Sequence, residues 1–255
     1  MKIDLIIPAR NEEQNIPALL AAIPREQFRH IIIVDNGSTD STAQLAHEGG
    51  AVVVREDQRG YGAACLAGLR WIDEQANAQT RRSLKQADDD GLPDIVAFLD
   101  ADLADDPALL PQVCQPIIDA QADMVIASRP RHAEPGSLTM TQRVGNAVSC
   151  RMIRMLTGVR YTDLGPMRAV RWSSLERMAM ADRTWGWTVE MQYKAASLKL
   201  RTREIDTPYR RRHAGRSKIS GSLVGSAKAG WKIMTTILHL WIRDRKRHSH
   251  QPTVA

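Results

Sequence analysis

The 255-residue chain has no Cys-x-x-Cys pair, no Cys/His cluster, no apolar run long enough to cross a bilayer and no GxxxxGK[ST] phosphate loop. Each absence removes a class of protein. Three cysteines, Cys65, Cys114 and Cys150, are odd in number and widely spaced. They make neither a disulfide framework nor a zinc site and point to a reducing compartment. The opening MKIDLIIPARNEE holds a short apolar stretch broken at Pro8, too short for a signal-peptide core or a membrane span. A cytoplasmic protein is expected. A dinucleotide fingerprint is also missing: the nearest approach, GYGAAC at 60–65, follows the third expected strand and lacks the third glycine.

What is present reads as one α/β unit. Apolar residues make up 43% of the chain, enough for a substantial core. Strand-length apolar runs at 3–9, 30–36, 51–56, 94–100 and 123–129 alternate with segments of helical period, NIPALLAAI, STAQLAHEG, GAACLAGLRWIDEQ and PALLPQVCQPIIDA. This βαβα alternation predicts a mostly parallel sheet with helices on both faces, which binds ligands at the carboxyl ends of its strands. The unusual polar residues sit at those ends: PARNE (8–12), DNGSTD (35–40), DADL (100–103) and SRP (128–130). The polar stretch 73–93 interrupts the pattern, and its second half reads as a surface excursion. Beyond 137 come a helix ended by Gly158, a loop or strand at 162–172, helices over SSLERMAM and WTVEMQYKAASLK, a strand REIDTPYRRR and a last helix from Ser220 to Arg243.

FLDADLADDP raises the chemical question, because buried strands seldom end in so many acids. An Asp-x-Asp at such an end suits Mg²⁺ or Mn²⁺ bridging a diphosphate, since these ions take a few carboxylate oxygens and complete their shells with water and phosphate. Alternation sends Asp100 and Asp102 to one side. Asp105 and Asp106 read instead as caps of the following helix, and Asp40 as the cap of the helix after DNGSTD. An EF-hand fails, because the sixth and twelfth positions from Asp100 are Asp105 and Pro111.

IIPARNEEQNIPALL, IIIVDNGSTDST, RGYGAA and FLDADLADDP, in this order, resemble the inverting family 2 glycosyltransferases of GT-A fold. SRP at 128–130, TDLGPMRA at 162–169 and RRRHAGRSKISGS at 210–222 are similar to the dolichyl or polyprenyl phosphate sugar synthase branch. The resemblance covers about residues 3–222. It implies a metal-dependent transfer of a hexose from a UDP- or GDP-linked sugar, most simply to a polyprenyl phosphate, with a soluble or saccharide hydroxyl acceptor as the alternative. Pro8, Ala9, Asn11, Glu12 and Asp35 would hold the nucleoside, with Gly62 allowing close backbone approach. Asp100 and Asp102 would hold the metal, and Arg129, Arg212 and Lys218 would meet phosphates. Asp163 and Glu190 fall on the acceptor side. Glu190 would be a general base for a hydroxyl acceptor, or would orient the sugar if the acceptor is an anionic phosphate. Trp185 and Trp187 flank it and suit either the core or a sugar platform.

Charge is uneven. Residues 201–250 hold thirteen Lys and Arg against three acids, so a net +6 leaves the remainder near −4. Basic charge attracts phosphates on a nucleotide, a lipid or a nucleic acid. With only Tyr209 and Trp231 as interleaved aromatics, a nucleic-acid binder is the weaker reading. A nucleotidyltransferase would want a glycine-rich loop after the first strand, which ARNEE is not. The last segment carries Lys228, Lys232 and His239 within its apolar span, which argues against a transmembrane helix. Leu223, Val224, Ala227, Trp231, Met234, Leu238 and Trp241 fall on one face, giving a helix on a membrane surface or one packed on the domain. The expected organisation is a glycosyltransferase domain over 1–222, followed by an amphipathic helix and basic tail over 223–255. An oligomer is compatible with the sequence.

Overall fold

The computed structural model describes residues 1–83, 91–214 and 223–248, with side chains from 79–83, 223–229 and 246–248 left out of the description. Seven strands form one sheet: β1 (Ile3–Ala9), β2 (His30–Asp35), β3 (Val52–Arg55), β4 (Ile95–Phe98), β5 (Met124–Ala133), β6 (Arg168–Arg171) and β7 (Thr202–Tyr209). Their order is β3-β2-β1-β4-β6-β5-β7. All pairings are parallel except those of β6, which runs antiparallel between β4 and β5. This is the mixed, mostly parallel sheet the alternation predicts.

Period-two alternation divides the central strands between two cores. Leu5, Ile7, Ile33 and Ala97 face α1 (Ile16–Ala22), α2 (Thr42–Glu48) and α4 (Leu110–Ile118). Ile6, Ile32, Val96 and Phe98 face α3 (Tyr61–Ser83), α5 (Met140–Thr157), α6 (Trp172–Met178), α7 (Trp187–Ser197) and α8 (Leu223–His248). Helix α5 starts at a capping box between Thr139 and Gln142 and ends at Gly158, whose φ of 78° is left-handed. Helix α3 continues to Ser83 through polar sequence that reads as a break in the pattern. Ala, Gln, Glu and Arg are good helix formers and need no apolar stripe to extend an existing helix. Residues 84–90 of the expected excursion lie outside the described residues.

One feature of the winding places a cleft. From β1 the chain moves outward to β2 and β3, then returns to lay β4 on the other side of β1. The loops after β1 and β4 therefore diverge, and a crevice opens between their carboxyl ends. The crevice's third wall is the turn 179–186 between α6 and α7. It packs against the start of α3, where the amides of Gly62 and Ala63 donate to the carbonyls of Thr184 and Arg183 at 3.1 and 2.9 Å. A Cβ on Gly62 would lie 2.0 Å from the Asp182 carbonyl oxygen, and one on Gly60, at φ 150°, 2.1 Å from that of Arg183. The close approach that RGYGAA permits is thus to the protein's own chain.

Helix α8 packs through Ile237 and Leu240, whereas Trp231 and Leu238 from the expected apolar face point outward. Leu223, Val224 and Ala227 fall where side chains are not described. Met140, Val144, Val148 and Met155 lie exposed along one face of the neighbouring α5.

Gly62→Ala is expected to destabilise the fold by roughly 1–3 kcal/mol or more through overpacking. Gly145→Ala, in mid-α5 with nothing within 4 Å of the added carbon, should instead stabilise by roughly 0.5–1 kcal/mol. Urea unfolding of the two variants beside wild type reads both signs.

Candidate active site

The crevice has a volume of about 360 Å³, within the range of small-molecule sites. Pro8, Ala9, Arg10 and Glu12 from the end of β1 line one side, and Asp100, Ala101 and Asp102 from the end of β4 the other. Asn36, Arg59, Gly60, Tyr61 and Ala64 close the back, Thr184 and Trp185 form the far wall, and Arg212 lies across the opening. Of the residues predicted from sequence, Pro8, Ala9, Glu12, Asp100, Asp102 and Arg212 converge here. Lys218 lies outside the described residues.

The two carboxylates of the Asp-x-Asp differ. Asp102 is almost wholly buried; one oxygen accepts the Ala104 amide at 3.0 Å and the other pairs with the Arg212 guanidinium at 2.9 Å. The carbonyl of Asp102 also accepts the His213 amide, so the segment after β7 is hooked over the motif. Asp100 Oδ1 is buried without a hydrogen-bond partner among the described residues, while its side chain is hydrogen-bonded to Tyr61. Burial and the Asp102 charge push its carboxyl up to about 6. Arg212 is ion-paired with Asp102 while a buried oxygen of the neighbouring Asp100 has no hydrogen-bond partner among the described residues, which leaves the cleft floor under-coordinated.

Other predicted residues stand one layer behind. Asp35 accepts the Ser38 amide, and Asn11, at φ 50°, accepts that of Thr39; both shape the loop facing the cleft. Asp40 accepts the amide of Thr42 at the start of α2, but the N-cap position belongs to Ser41, so Asp40 stands one residue ahead of the expected cap. Asp163 receives a two-pronged pair from Arg129 at 2.7 and 3.0 Å, and Arg129 stacks over Tyr209. Glu190 is buried and engaged: it pairs with Lys194 at 2.7 Å and accepts the amides of Asp182 and Ala181. It thereby holds the turn carrying Thr184 and Trp185. The two tryptophans divide, Trp187 packing edge-on against Phe98 in the core and Trp185 standing in the cleft wall.

Asn36 and Tyr61 are site residues that sequence reasoning missed. Asn36 donates to the carbonyls of Glu56 and Gln58 and accepts the Gly60 amide at 2.8 Å, tying the ends of β2 and β3 to the start of α3. The signal was a second polar residue directly after Asp35 at a strand end. Tyr61 lay within RGYGAA, where the glycines drew the attention.

A sheet wound this way, with a carboxylate pair at the switch point, has the architecture of GT-A nucleotide-sugar transferases. A structure of glucosyl-3-phosphoglycerate synthase from Mycobacterium tuberculosis with Mn²⁺, UDP and phosphoglyceric acid superposes with a TM-score of 0.70 at 18% identity, over 94% of this chain and 78% of that one. Residues 4–178 match glycosyl transferase family 2, and the chain belongs to that family and is a glycosyltransferase. An uncharacterized glycosyltransferase of Mycobacterium tuberculosis is 35% identical over 91% of this chain and 98% of its own length. The undecaprenyl-phosphate mannosyltransferase of Micrococcus luteus is 28% identical, over 89% and 91%.

Asp106 caps the turn opening α4 by accepting the Ala108 amide, as expected, but Asp105 does not cap. It points inward, and both its oxygens are buried without a hydrogen-bond partner among the described residues. Burial pushes its carboxyl up to about 8, against the opposing pull of Arg129. A folded-state value above the unfolded one means that the native protein holds the extra proton. Asp105's contribution to stability is therefore intact below about pH 4 and is lost as pH rises through about 8. Asp105→Asn should flatten the wild-type decline in stability between pH 5 and about 8, measured by urea unfolding across that range.

Proposed function

We propose that the chain transfers a hexose, with inversion, from a nucleoside-diphosphate sugar to an acceptor, using Mg²⁺ or Mn²⁺ at Asp100 and Asp102. The observation carrying this reading is the buried, unpartnered Asp100 oxygen beside Asp102 at the β1–β4 crevice. Oxygen donors of this kind fit a hard divalent cation. Among the described residues no third carboxylate, Cys or His completes a cage, which suits an ion whose other ligands are diphosphate oxygens and water. The bound cation would neutralise charge developing on the departing nucleoside diphosphate.

The protein's own parts take defined roles in this reading. The backbone of Pro8 to Arg10, with Glu12 and the Asn36 knot, forms the nucleoside side. Asp35 and Asn11 support it from behind. Arg212 leaves Asp102 and turns its forked donors to the diphosphate, with Lys218 adding charge. Asp163 aims Arg129. Glu190 positions the 179–186 turn and, with its oxygens engaged, takes no substrate proton. Residues 1–222 carry the chemistry, and helix α8 packs against them.

For the acceptor, a small soluble molecule comes first, because solved proteins of this fold hold phosphoglyceric acid beside UDP and Mn²⁺. A polyprenyl phosphate is the second reading, with peripheral contact at the inner membrane face. Two observations favour it. Glu190 is engaged elsewhere, and an anionic phosphate acceptor needs no general base. The exposed stripes Met140, Val144, Val148 and Met155 on α5, and Trp231, Leu238 and Ile242 on α8, could lie on lipid. No helix among the described residues is long and apolar enough to cross a membrane.

Calorimetric titration with UDP and GDP should show Mn²⁺-dependent binding of one of them. Asp102→Ala should lose that binding and at least about 100-fold in turnover; unchanged activity would remove the metal assignment. Protons compete with the cation for Asp100, so Mn²⁺-dependent affinity should fall as pH drops through about 6. Radiolabel transfer from the matching sugar nucleotide to phosphoglycerate or to polyprenyl phosphate in detergent then separates the two acceptor classes.

A further inference from the structure

The turn 179–186, which supplies the Thr184–Trp185 wall of the cleft, is held from three directions within the α/β core. Gly62 and Ala63 donate to its carbonyls at the start of α3. Glu190 accepts its Asp182 and Ala181 amides. Lys194 donates to the Ala179 carbonyl at 2.7 Å. A fourth hold comes from elsewhere in the chain. Asp182 Oδ1 accepts the Thr184 amide at 2.7 Å, the Thr184 hydroxyl at 2.9 Å and the Gly186 amide at 3.2 Å. Its Oδ2 pairs with Lys232 Nζ of α8 at 3.1 Å.

Asp182 is therefore the pivot of the wall, and α8 holds the pivot. The carboxylate side chain is 8% exposed and the lysine 45%, so water and salt reach the pair from the lysine side. A side chain of α8 is also close, since a Cβ on Gly186 would lie 2.8 Å from Thr236 Oγ1. Removing the positive charge would leave the Oδ2 oxygen of a nearly buried carboxylate without its ion pair, while Oδ1 keeps the Thr184 and Gly186 donors. The turn would then relax to solvate it.

We propose that Lys232 is a positioning residue for the transfer reaction: through Asp182 it fixes Thr184 and Trp185 against the cleft, so helix α8 forms part of the active-site wall. The proposal rests on the cleft being the sugar-nucleotide site. It also assigns a function to a helix that the domain reading sets apart from the chemistry. Lys232 touches no substrate in this account and acts only through the turn.

The test separates the mechanical link from the identity of the cleft. Hydrogen exchange of the ligand-free, full-length protein is followed by mass spectrometry on a peptide spanning 179–186. Lys232→Met keeps the aliphatic stem and removes the charge; it should speed exchange at Thr184 and Gly186 by about threefold to fivefold, as expected for loss of a partly exposed ion pair. Lys232→Arg should restore protection. Arg245→Met loses only its stacking on Trp241 and should leave this peptide unchanged, which controls for a general loosening of α8. High salt should move wild type toward Lys232→Met. Mn²⁺-dependent UDP or GDP affinity should fall in Lys232→Met and return in Lys232→Arg. Unchanged exchange in a folded Lys232→Met protein, or equal change in Arg245→Met, overturns the proposal. Faster exchange in Lys232→Met with no nucleotide bound by wild type would instead overturn the reading of the cleft.

Discussion

Two carboxylates at the end of β4, withdrawn from water and facing one another across a single residue, are the constraint around which the site is organised. Burial and the neighbouring Asp102 charge both work against the ionised form of Asp100. Asp102 is relieved by an ion pair with Arg212 and by the Ala104 amide, whereas Asp100 keeps a buried oxygen without a hydrogen-bond partner among the described residues. A third acid, Asp105, lies close enough to feel the charges of both and has no hydrogen-bond relief among the described residues. A fold that selects only for stability would not gather these groups here, because apolar residues would fill the same space at lower cost. In the proposed reading a cation shared with an anionic ligand would resolve the imbalance, and Arg212 would exchange its pairing with Asp102 for the ligand.

The rest of the cleft follows from placing those acids at a switch point. Strand β1 brings its carboxyl end beside them because β4 returns to its free edge, and the backbone after Ala9 then lines the opposite side of the cleft. Asn36 fastens the ends of β2 and β3 to α3, so the back of the cleft moves as one body. The 179–186 turn is built differently. Its wall residues depend on polar ties to three helices, α3, α7 and α8, and only the last of these is a partly exposed ion pair. The cleft wall formed by this turn accordingly has its geometry set by polar contacts rather than by packing alone.

The first five strands were legible in the sequence because each carries a continuous apolar run that gives way to polar residues, and because helical period alternates with them. The antiparallel insertion of β6 was not, since four residues, RAVR, carry no sign of direction or partner. In the site, positions whose chemistry faces the cleft were readable: the Asp-x-Asp pair, the PARNE turn and Arg212. Asn11, Asp35, Arg129, Asp163 and Glu190 are polar for a different reason, each holding another residue or a loop amide. Sequence motifs do not distinguish a group that touches a ligand from one that supports it, because both need the same side chain. Gly62 shows the same ambiguity for backbone: its missing Cβ makes room for Asp182 rather than for a substrate. Asn36 and Lys232 left no motif, because their partners are 20 residues or more away in the chain.

The most direct test of the central claim is anomalous diffraction from crystals of the protein grown with Mn²⁺ and the nucleoside diphosphate it binds. The account predicts a manganese peak within coordination distance of Asp102, with the diphosphate as a further ligand, Asp100 on the same ion or the ribose, and Arg212 moved from Asp102 to a phosphate oxygen. A nucleotide seated in the cleft with the Arg212–Asp102 pair intact and no ion at either carboxylate would contradict it.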